Sequence, residues 1–425
     1  MKVIQKKLPN SIRLILVPLK DSLSVTTAVF VEAGSAYEQK KISGLSHFLE
    51  HMMFKGTTRR PTARAISTEL ENLGASYNAF TDFDLTGYYA TVAPRNFDKA
   101  FDVVADMYLH PLLDPKEIEK EKGVIVEEIR MYEDLPQYKA SETLDALMHG
   151  DQPSGWSIVG TEKTVTSFNR KNFQDYIAKH YIAEKTIIVV AGNFDPAYAY
   201  AEAKKHFAAA RKGKVYDRVP YKKHTGRHIS IVHKKLDQST FMAGFHAVPM
   251  KSDERFKVAI LAAILGGGMG SRLFQKIREE MGAAYFIGMG TSFNANHGVA
   301  YVKGGINHGK LRDVFSALCE ELQKIHEGAA KDELTRAKEY TVGNFLLSLE
   351  SPSELGTYYG YQEATMGKTL PPQEAAKHMR AVTQDDIKRI ARKYLTKENF
   401  HFSLVGPYEK AEEKKYEELY RKNWA

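Results

Sequence analysis

The sequence predicts an α+β protein with two homologous domains, each a mainly antiparallel sheet with helices packed on one face. A segment at residues 177–192 recurs at residues 390–406, an offset of 213 to 214 residues, which is half of the 425-residue chain. Each half begins with strand-like alternation and continues into helix-like periodicity, without the regular rhythm of a parallel sheet. A duplicated chain of this length is expected to form two domains.

The repeated segment has the same pattern in both copies. Each contains the end of an amphipathic helix with a tyrosine, Tyr181 or Tyr394, followed by a charged turn, a short apolar strand and a glycine. Between the copies, residues 213–226 are basic, aperiodic and interrupted by Pro and Gly. We therefore predict an N-terminal domain at 1–212, a linker at 213–226 and a C-terminal domain of the same fold at 227–425.

Local patterns predict the elements of each half in chain order. The predicted strands are Ser11–Pro18, Val25–Val31, a hairpin of Tyr77–Thr81 and Thr86–Val92, and, in the second half, His228–His233 and Thr240–Val248. The predicted helices are Ser43–Phe54, Thr62–Leu73, Phe97–Leu109, Asp114–Met131 and Phe256–Leu265. Ser43 is the expected N-cap of its helix, and Gly74 is expected to end the next one.

The composition is that of an ordinary globular protein, with 43% hydrophobic and 26% charged residues. The net charge of +8 is spread over 60 basic and 52 acidic residues, so no nucleic-acid partner is expected. Cys319 is the only cysteine, which excludes internal disulfides and a cysteine zinc site. The first residues lack an apolar signal core, and no apolar run approaches the roughly 20 residues of a membrane span. We expect a cytoplasmic protein without a membrane partner.

The segment Ser-His-Phe-Leu-Glu-His-Met contains His47 and His51, four residues apart, with Glu50 between them. On a helix this spacing puts both imidazoles on one face, one turn apart. Neutral imidazoles suit zinc, and a nearby carboxylate can take a proton from a zinc-bound water. A solvated helix surface is the alternative, since roughly a few per cent of such chains would contain this pattern by chance. Apolar neighbours such as Phe48 and Leu49 favour a buried helix, whose polar groups need partners.

A third ligand must come from another element. The best source is residues 117–129, a predicted helix rich in glutamate. Glu121 and Glu128 are seven residues apart, which places them two turns apart on the same face. The spacing alone predicts a solvated acidic surface just as well as a metal ligand.

Three motifs together resemble those of the pitrilysin-like (M16) zinc metallopeptidases, over essentially the whole chain. They are the inverted zincin order His-x-x-Glu-His within Gly44–Thr57, the segment Asn78–Thr81 with Tyr88 and Tyr89, and Glu121–Ile129. The chain is most similar to the subfamily of the mitochondrial processing peptidase β subunit and its bacterial relatives. The resemblance implies two domains arranged as a clamshell around a chamber.

The resemblance also implies a role for each matching position. These positions are His47, His51 and Glu128 as zinc ligands, Glu50 as the general base that activates a zinc-bound water, and Glu121 as a carboxylate that orients a ligand histidine. Glu127 is a rival third ligand, because the spacing varies by one residue among relatives. Glu128 is preferred because it keeps the seven-residue spacing from Glu121.

The second half has no metal motif at the equivalent offset, where Val258–Gly266 contains neither His nor Glu. The glycines that follow predict a helix break rather than a phosphate site. Arg278 and Tyr285 match an Arg-x6-Tyr pair that, in the family, reaches the substrate opposite the zinc. The resemblance implies that they hold substrate carbonyls and stabilise the oxyanion. Without it, a surface arginine and a packed tyrosine would be the better interpretation.

Together these features predict a zinc-dependent endopeptidase that cleaves extended or unfolded peptides in an enclosed chamber. The substrate is expected to add a strand at the sheet edge near Asn78–Thr81. A homodimer is expected, or a heterodimer with a related chain. At the two positions where arginine-directed processing peptidases carry acids, this chain has Tyr138 and Glu142, so that preference is not implied. The alternative is a non-catalytic scaffold subunit, although such subunits typically lose motif residues.

Overall fold

A computed structural model describes residues 3–226 and 228–424. Residues 1, 2, 227 and 425, which include ends of the predicted domains, lie outside the described residues. The strands are β1 (Ile4–Lys7), β2 (Arg13–Pro18), β3 (Val25–Val31), β4 (Ser76–Thr81), β5 (Thr86–Val92), β6 (Thr186–Gly192), β7 (Ile229–His233), β8 (Ser239–Ala247), β9 (Ala284–Phe293), β10 (Gly298–Ile306) and β11 (Phe400–Gly406).

The helices are more numerous than the strands and lie mostly in the second part of each half. They are α1 (Leu45–Met53), α2 (Ala63–Asn72), α3 (Phe97–Leu109), α4 (Pro115–Asp134), α5 (Pro136–His149), α6 (Glu162–Ser167), α7 (Arg170–His180), α8 (Pro196–His206), α9 (Glu254–Gly266), α10 (Leu311–Lys324), α11 (Lys331–Leu347), α12 (Pro352–Met366), α13 (Pro372–Arg380), α14 (Gln384–Tyr394) and α15 (Glu413–Asn423). Phe274–Glu280 forms a π-helical turn. No helix of the described chain is long and apolar enough to cross a membrane.

Two sheets organise these elements, and their strand orders correspond. The first sheet has the order β1-β2-β6-β3-β5-β4, and the second has the order β7-β11-β8-β10-β9. All pairs are antiparallel except β2 with β6 and β11 with β7. The predicted α+β class with two similar, mainly antiparallel sheets is confirmed.

The repeated sequence segment occupies the same place in both sheets. In the first half it forms the end of α7 and strand β6, and in the second half it forms the end of α14 and strand β11. Strand β6 lies between a parallel neighbour and an antiparallel neighbour, and so does β11. The sequence repeat is therefore a structural repeat.

The described residues form two compact units, and each unit contains one helix from the other half of the sequence. The first unit lies within Met1–Arg130, Ser157–Val219 and Ser348–Leu370, and the second lies within Met131–Trp156, Pro220–Leu347 and Pro371–Ala425. Helix α12, from the second half, therefore belongs to the first unit, and helix α5, from the first half, belongs to the second. The predicted division at residues 213–226 stays a prediction, because the halves of a duplicated sequence need not coincide with compact units.

Each exchanged helix is held by apolar packing on the sheet of its unit. On α12, Leu355 and Tyr359 join the buried cluster of β2, β3 and β6, and Gly360 leaves room for the ring of Phe30. On α5, Leu144 and Met148 pack with Met242 of β8. The helix α3 lies on the other face of the first sheet, where Tyr108 bonds to Thr186 of β6. Helices therefore cover both faces at the centre of this sheet.

Candidate metal centre

Helix α1 carries the histidine motif and begins in a way that the sequence did not predict. Ser43 is not its N-cap, and that prediction was wrong: the N-cap is Gly44, with φ of 92°. The buried carboxylate of Glu38 accepts hydrogen bonds from the backbone N–H of Gly44 (2.9 Å) and of Ser46 (2.7 Å), and from the Ser46 hydroxyl. Burial raises the pKa of Glu38 to about 7, although these hydrogen bonds oppose the shift. A carboxylate from the preceding loop thus satisfies the free N–H groups at the start of α1.

The apolar side of α1 fixes the direction of the histidines. Phe48 is fully buried, and its ring lies 4.9 Å from that of Phe173 on α7. Leu49, Met52 and Met53 are buried as well. Because the helix packs through this face, the side chains of His47, Glu50 and His51 point together toward α4 and β4.

The side chains of His47, His51 and Glu128 converge on one point. Nε2 of His47 lies 3.7 Å from Oε2 of Glu128, and Nε2 of His51 lies 3.6 Å from the same oxygen. Within residues 3–226 and 228–424, these three form the one group of His, Cys, Asp and Glu side chains whose ligand atoms lie within 4.8 Å of one another. The structure brings together the three residues predicted as zinc ligands, and their role as ligands stays a prediction.

Distances and protonation both fit a zinc ion. Zinc bonds of about 2.0–2.2 Å at tetrahedral angles place neighbouring ligand atoms about 3.3–3.6 Å apart. The two His–Glu distances of 3.6 and 3.7 Å are close to that range and too long for hydrogen bonds. Burial, reinforced by the charge of His51, lowers the pKa of His47 to about 3, so its imidazole is neutral at physiological pH. A neutral imidazole is the form that binds metal.

Glu121 fixes the tautomer of His51. Its Oε1 lies 2.9 Å from Nδ1 of His51, and its Oε2 lies 2.5 Å from Nζ of Lys55. Burial opposes its ionisation, but these two partners hold the pKa of Glu121 below its usual value. An ionised carboxylate only accepts hydrogen bonds, so Nδ1 of His51 must donate, and in the neutral imidazole that a metal requires the lone pair lies on Nε2. That lone pair is free to face a metal.

Glu50 lies beside the three converging side chains and has its own partner. The hydroxyl of Thr81 on β4 donates a hydrogen bond of 2.6 Å to Oε2 of Glu50. Burial raises the pKa of Glu50, and Thr81 and His51 oppose the shift. A partly buried carboxylate with a raised pKa is suited to accept a proton near neutral pH.

The local charge favours a cation. Burial disfavours a charged His51, yet the hydrogen bond that His51 donates to Glu121 and the charges of Glu50 and Glu128 outweigh it and raise the pKa of His51. Lys55 balances Glu121. The remaining carboxylates, Glu50 and Glu128, match the charge of a divalent ion.

Three other residues were considered for the site: Glu127, Arg278 and Tyr285. Glu127, the rival third ligand, is an exposed residue of α4 that forms an ion pair of 2.7 Å with Arg130. Arg278 and Tyr285 belong to the second unit. Arg278 lies in the π-helical turn with its guanidinium 4.7 Å from the ring centre of Phe274, and Tyr285 lies on β9 with 74% of its surface exposed. Their roles stay predictions.

Sequence reasoning missed three residues of the site. Glu38 caps α1, Lys55 holds Glu121, and Thr81 holds Glu50. Lys55 lies four residues after His51 but beyond the end of α1, so helical spacing did not indicate it. Thr81 was recognised only as part of a motif, and its contact with Glu50 depends on how β4 packs on α1.

The second unit contains a different group of buried histidines. The hydroxyl of Tyr221 lies 3.2 Å from Nδ1 of His149 and 3.1 Å from Nδ1 of His246. The ring of His149 is 4.9 Å from that of His297, and the ring of His246 is 5.3 Å from that of His401. Burial, reinforced by neighbouring imidazoles, lowers the pKa of His149 and His246 to about 3 and that of His401 to about 4. We call these five residues the Tyr221 cluster.

Comparisons with known proteins identify the family of this chain. The family described as Insulinase (Peptidase family M16) matches residues 15–162, and the family described as Peptidase M16 inactive domain matches residues 167–340. An uncharacterized zinc protease from Rickettsia felis is 35% identical, over 92% of this chain and 93% of that protein. The uncharacterized zinc protease YmxG from Bacillus subtilis is 33% identical, over 94% of this chain and 97% of that protein.

Solved structures share the fold at low sequence identity. A protease from Helicobacter pylori has a TM-score of 0.88 and 21% identity, over 96% of this chain and 99% of that one. A chain of Complex III2 from Candida albicans has a TM-score of 0.87 and 15% identity, over 99% of this chain and 100% of that one. At these identities the likeness concerns the fold alone.

Proposed function

Because this chain belongs to peptidase family M16, we propose that it is a zinc-dependent endopeptidase that cleaves extended or unfolded peptides. One observation carries the proposal: His47, His51 and Glu128 converge on one point, with the carboxylate of Glu50 beside them. Relatives over nearly the whole chain are named zinc proteases. That name supports zinc as the metal.

The converging side chains would hold a zinc ion, and their neighbours would orient them. Nε2 of His47, Nε2 of His51 and a carboxylate oxygen of Glu128 would hold the ion. When bound, zinc supplies Lewis acidity, which lowers the pKa of water and polarises a peptide carbonyl. Glu121, held by Lys55, keeps the ring of His51 in the orientation and tautomer that this requires.

Glu50 is the general base of the proposed reaction. It accepts the proton of the attacking water and passes it to the leaving amine, as a carboxylate with a raised pKa can do. The hydrogen bond from Thr81 occupies Oε2, which leaves Oε1 for the proton.

The substrate is proposed to bind as an added strand on β4, the last strand of the first sheet. Backbone pairing recognises any extended peptide, which accounts for a preference for unfolded chains. By resemblance to the family, Arg278 and Tyr285 hold substrate carbonyls and stabilise the oxyanion, and a chamber encloses the peptide. The high exposure of Tyr285 on β9 is compatible with contact to a ligand.

The deciding experiment compares the wild type with Glu50→Gln on a peptide library, with products read by mass spectrometry and zinc by elemental analysis. We expect cleavage by the wild type, and a loss of about 10²–10⁴-fold in the variant at unchanged zinc content. Full activity of zinc-loaded Glu50→Gln would refute the role of Glu50. A wild type with neither stoichiometric zinc nor cleavage would favour the scaffold subunit instead.

A further inference from the structure

Strand β4 presents its backbone at a free sheet edge. It pairs with β5 on one side and is the terminal strand in the sheet order. The hairpin closes with a hydrogen bond of 2.8 Å from the N–H of Asp82 to the carbonyl of Leu85. In an antiparallel pair the outward and inward residues alternate, so Tyr77, Ala79 and Thr81 direct their N–H and C=O groups away from β5. Accordingly, the N–H of Ala79 bonds to the Asn78 side chain at 2.9 Å.

The side chains of the same residues face helix α1. The ring of Tyr77 stacks with that of Phe54 at a centroid distance of 6.3 Å, and the hydroxyl of Thr81 bonds to Glu50. Strand β4 is therefore joined to Glu50 of α1, which is the proposed base, and to Phe54, which follows that helix. The N–H and C=O groups of Thr81 face away from β5, where a docking strand can pair with them. Its hydroxyl donates a hydrogen bond to Glu50.

A glutamate side chain has several rotatable bonds, and holding it in one rotamer costs entropy that a partner must offset. Thr81 supplies that partner with a charge-assisted hydrogen bond, which is short at 2.6 Å. Its hydroxyl also leaves one carboxylate oxygen open. A general base works only when it lies within hydrogen-bonding reach of the proton that it removes.

We propose that Thr81 is a positioning residue that links peptide docking on β4 to alignment of the Glu50 carboxylate. The proposal rests on the proposed endopeptidase function. A peptide that pairs with the backbone of Thr81 orders this end of β4 and, through the hydroxyl, the base. Extended peptides that pair with β4 as far as Thr81 are then cleaved faster than peptides that pair only with the earlier residues of β4.

The test compares Thr81→Val, which removes the hydroxyl at equal size, with Thr81→Ser, which keeps it. The matched control is Ser76→Ala, which removes a hydroxyl from an exposed position of the same strand. The probe is the library peptide that the wild type cleaves fastest. We expect Thr81→Val to lower kcat about 10- to 100-fold with KM changed less than about twofold, because a hydrogen bond to a charged group is lost while backbone docking remains. Thr81→Ser and Ser76→Ala should stay within about threefold of the wild type.

Crystal structures of the zinc-free wild type, Thr81→Val and Thr81→Ser give a second readout that does not need activity. We expect the Glu50 carboxylate to leave its position in Thr81→Val and to keep it in Thr81→Ser. A kcat of Thr81→Val within about twofold of the wild type, an equal loss in Thr81→Ser, or an unmoved Glu50 in Thr81→Val would each overturn the proposal. If the wild type shows no cleavage that depends on Glu50, the endopeptidase function itself fails, and the crystal structures still decide whether Thr81 holds Glu50.

Discussion

Each unit of this protein contains a group of neighbouring histidines, and the two groups differ in chemistry. In the first unit, two histidines on one helix meet Glu128, and their free nitrogens point at one oxygen. In the second unit, the histidines of the Tyr221 cluster lie against one another and against a phenol. Beside His47 and His51, the carboxylates favour a positive charge. In the Tyr221 cluster, burial and the neighbouring imidazoles disfavour a positive charge.

The same contrast holds for equivalent helices of the duplicated fold. Helices α1 and α9 each follow the central strand that pairs with the repeated strand of its sheet. Helix α1 keeps one polar face, while α9 buries Ile260, Leu261 and Leu265 among other apolar residues. One copy presents His and Glu side chains on this helix, and the other buries apolar side chains there. Three measurements test this contrast.

The largest effect is expected for zinc affinity when Glu128 is changed to Gln. Partners outside the direct ligands cost about 10- to 100-fold in affinity, so loss of a direct ligand should cost more than about 100-fold. Isothermal titration or competition with a chelator measures the affinity. Glu127→Gln is the matched control, because Glu127 is the next residue in the chain and its carboxylate pairs with Arg130 on the surface. Equal losses in both variants, or tight zinc binding by Glu128→Gln, would point to a different site.

A smaller loss of zinc affinity, about 10- to 100-fold, is expected for Lys55→Met. Without the ammonium, Glu121 loses one of the two partners that keep it ionised, and His51 loses its fixed acceptor. The same chelator competition measures the change, and Lys120→Met, which removes an exposed partner of Glu117, is the control. An affinity of Lys55→Met equal to that of the wild type would show that Glu121 orients His51 unaided.

The smallest effect concerns acid stability and the Tyr221 cluster. The folded-state pKa of His246 is lowered to about 3, while in the unfolded chain it returns to about 6.5. Below pH 6.5 the unfolded chain therefore binds more protons, and stability falls as the pH drops toward 3. At pH 6 this costs about 1 kcal/mol for one such histidine. Urea unfolding of zinc-free protein between pH 8 and pH 6 measures the slope.

His246→Asn should reduce that slope, since one titrating group is removed. An identical slope in His246→Asn and the wild type would mean that the buried imidazole of His246 does not set the acid sensitivity.

Helical periodicity is local, so the sequence predicted which side chains share a helix face, while the resemblance to the family assigned Glu128 and Glu121 their roles. A spacing of four put His47 and His51 on one face, and a spacing of seven put Glu121 and Glu128 on another. The start of α1 was mispredicted because its capping group, Glu38, comes from a preceding loop, outside any local N-cap pattern. The contact of Thr81 with Glu50 depends on packing between elements 31 residues apart.

The sequence did not predict the Tyr221 cluster or the exchanged helices, because both depend on contacts between distant segments of the chain. The cluster gathers residues from five separate segments of the chain between His149 and His401. The amphipathic pattern of a helix predicts that one face is buried, but not which sheet buries it. Thus the pattern of α12 gave no sign that it would pack on β3 and β6.

The exchange of α5 and α12 imposes an order on biosynthesis. Strand β6 completes the first sheet, but α12 begins about 160 residues later in the chain. At about 5–20 residues per second, one face of that sheet waits roughly 10 to 30 seconds for its covering helix to emerge from the ribosome. During this interval Phe30 and its neighbours lack their final partner, so the nascent chain presents an apolar surface that a chaperone could bind. The unit that contains His47, His51 and Glu128 is therefore finished only when most of the second half has been made.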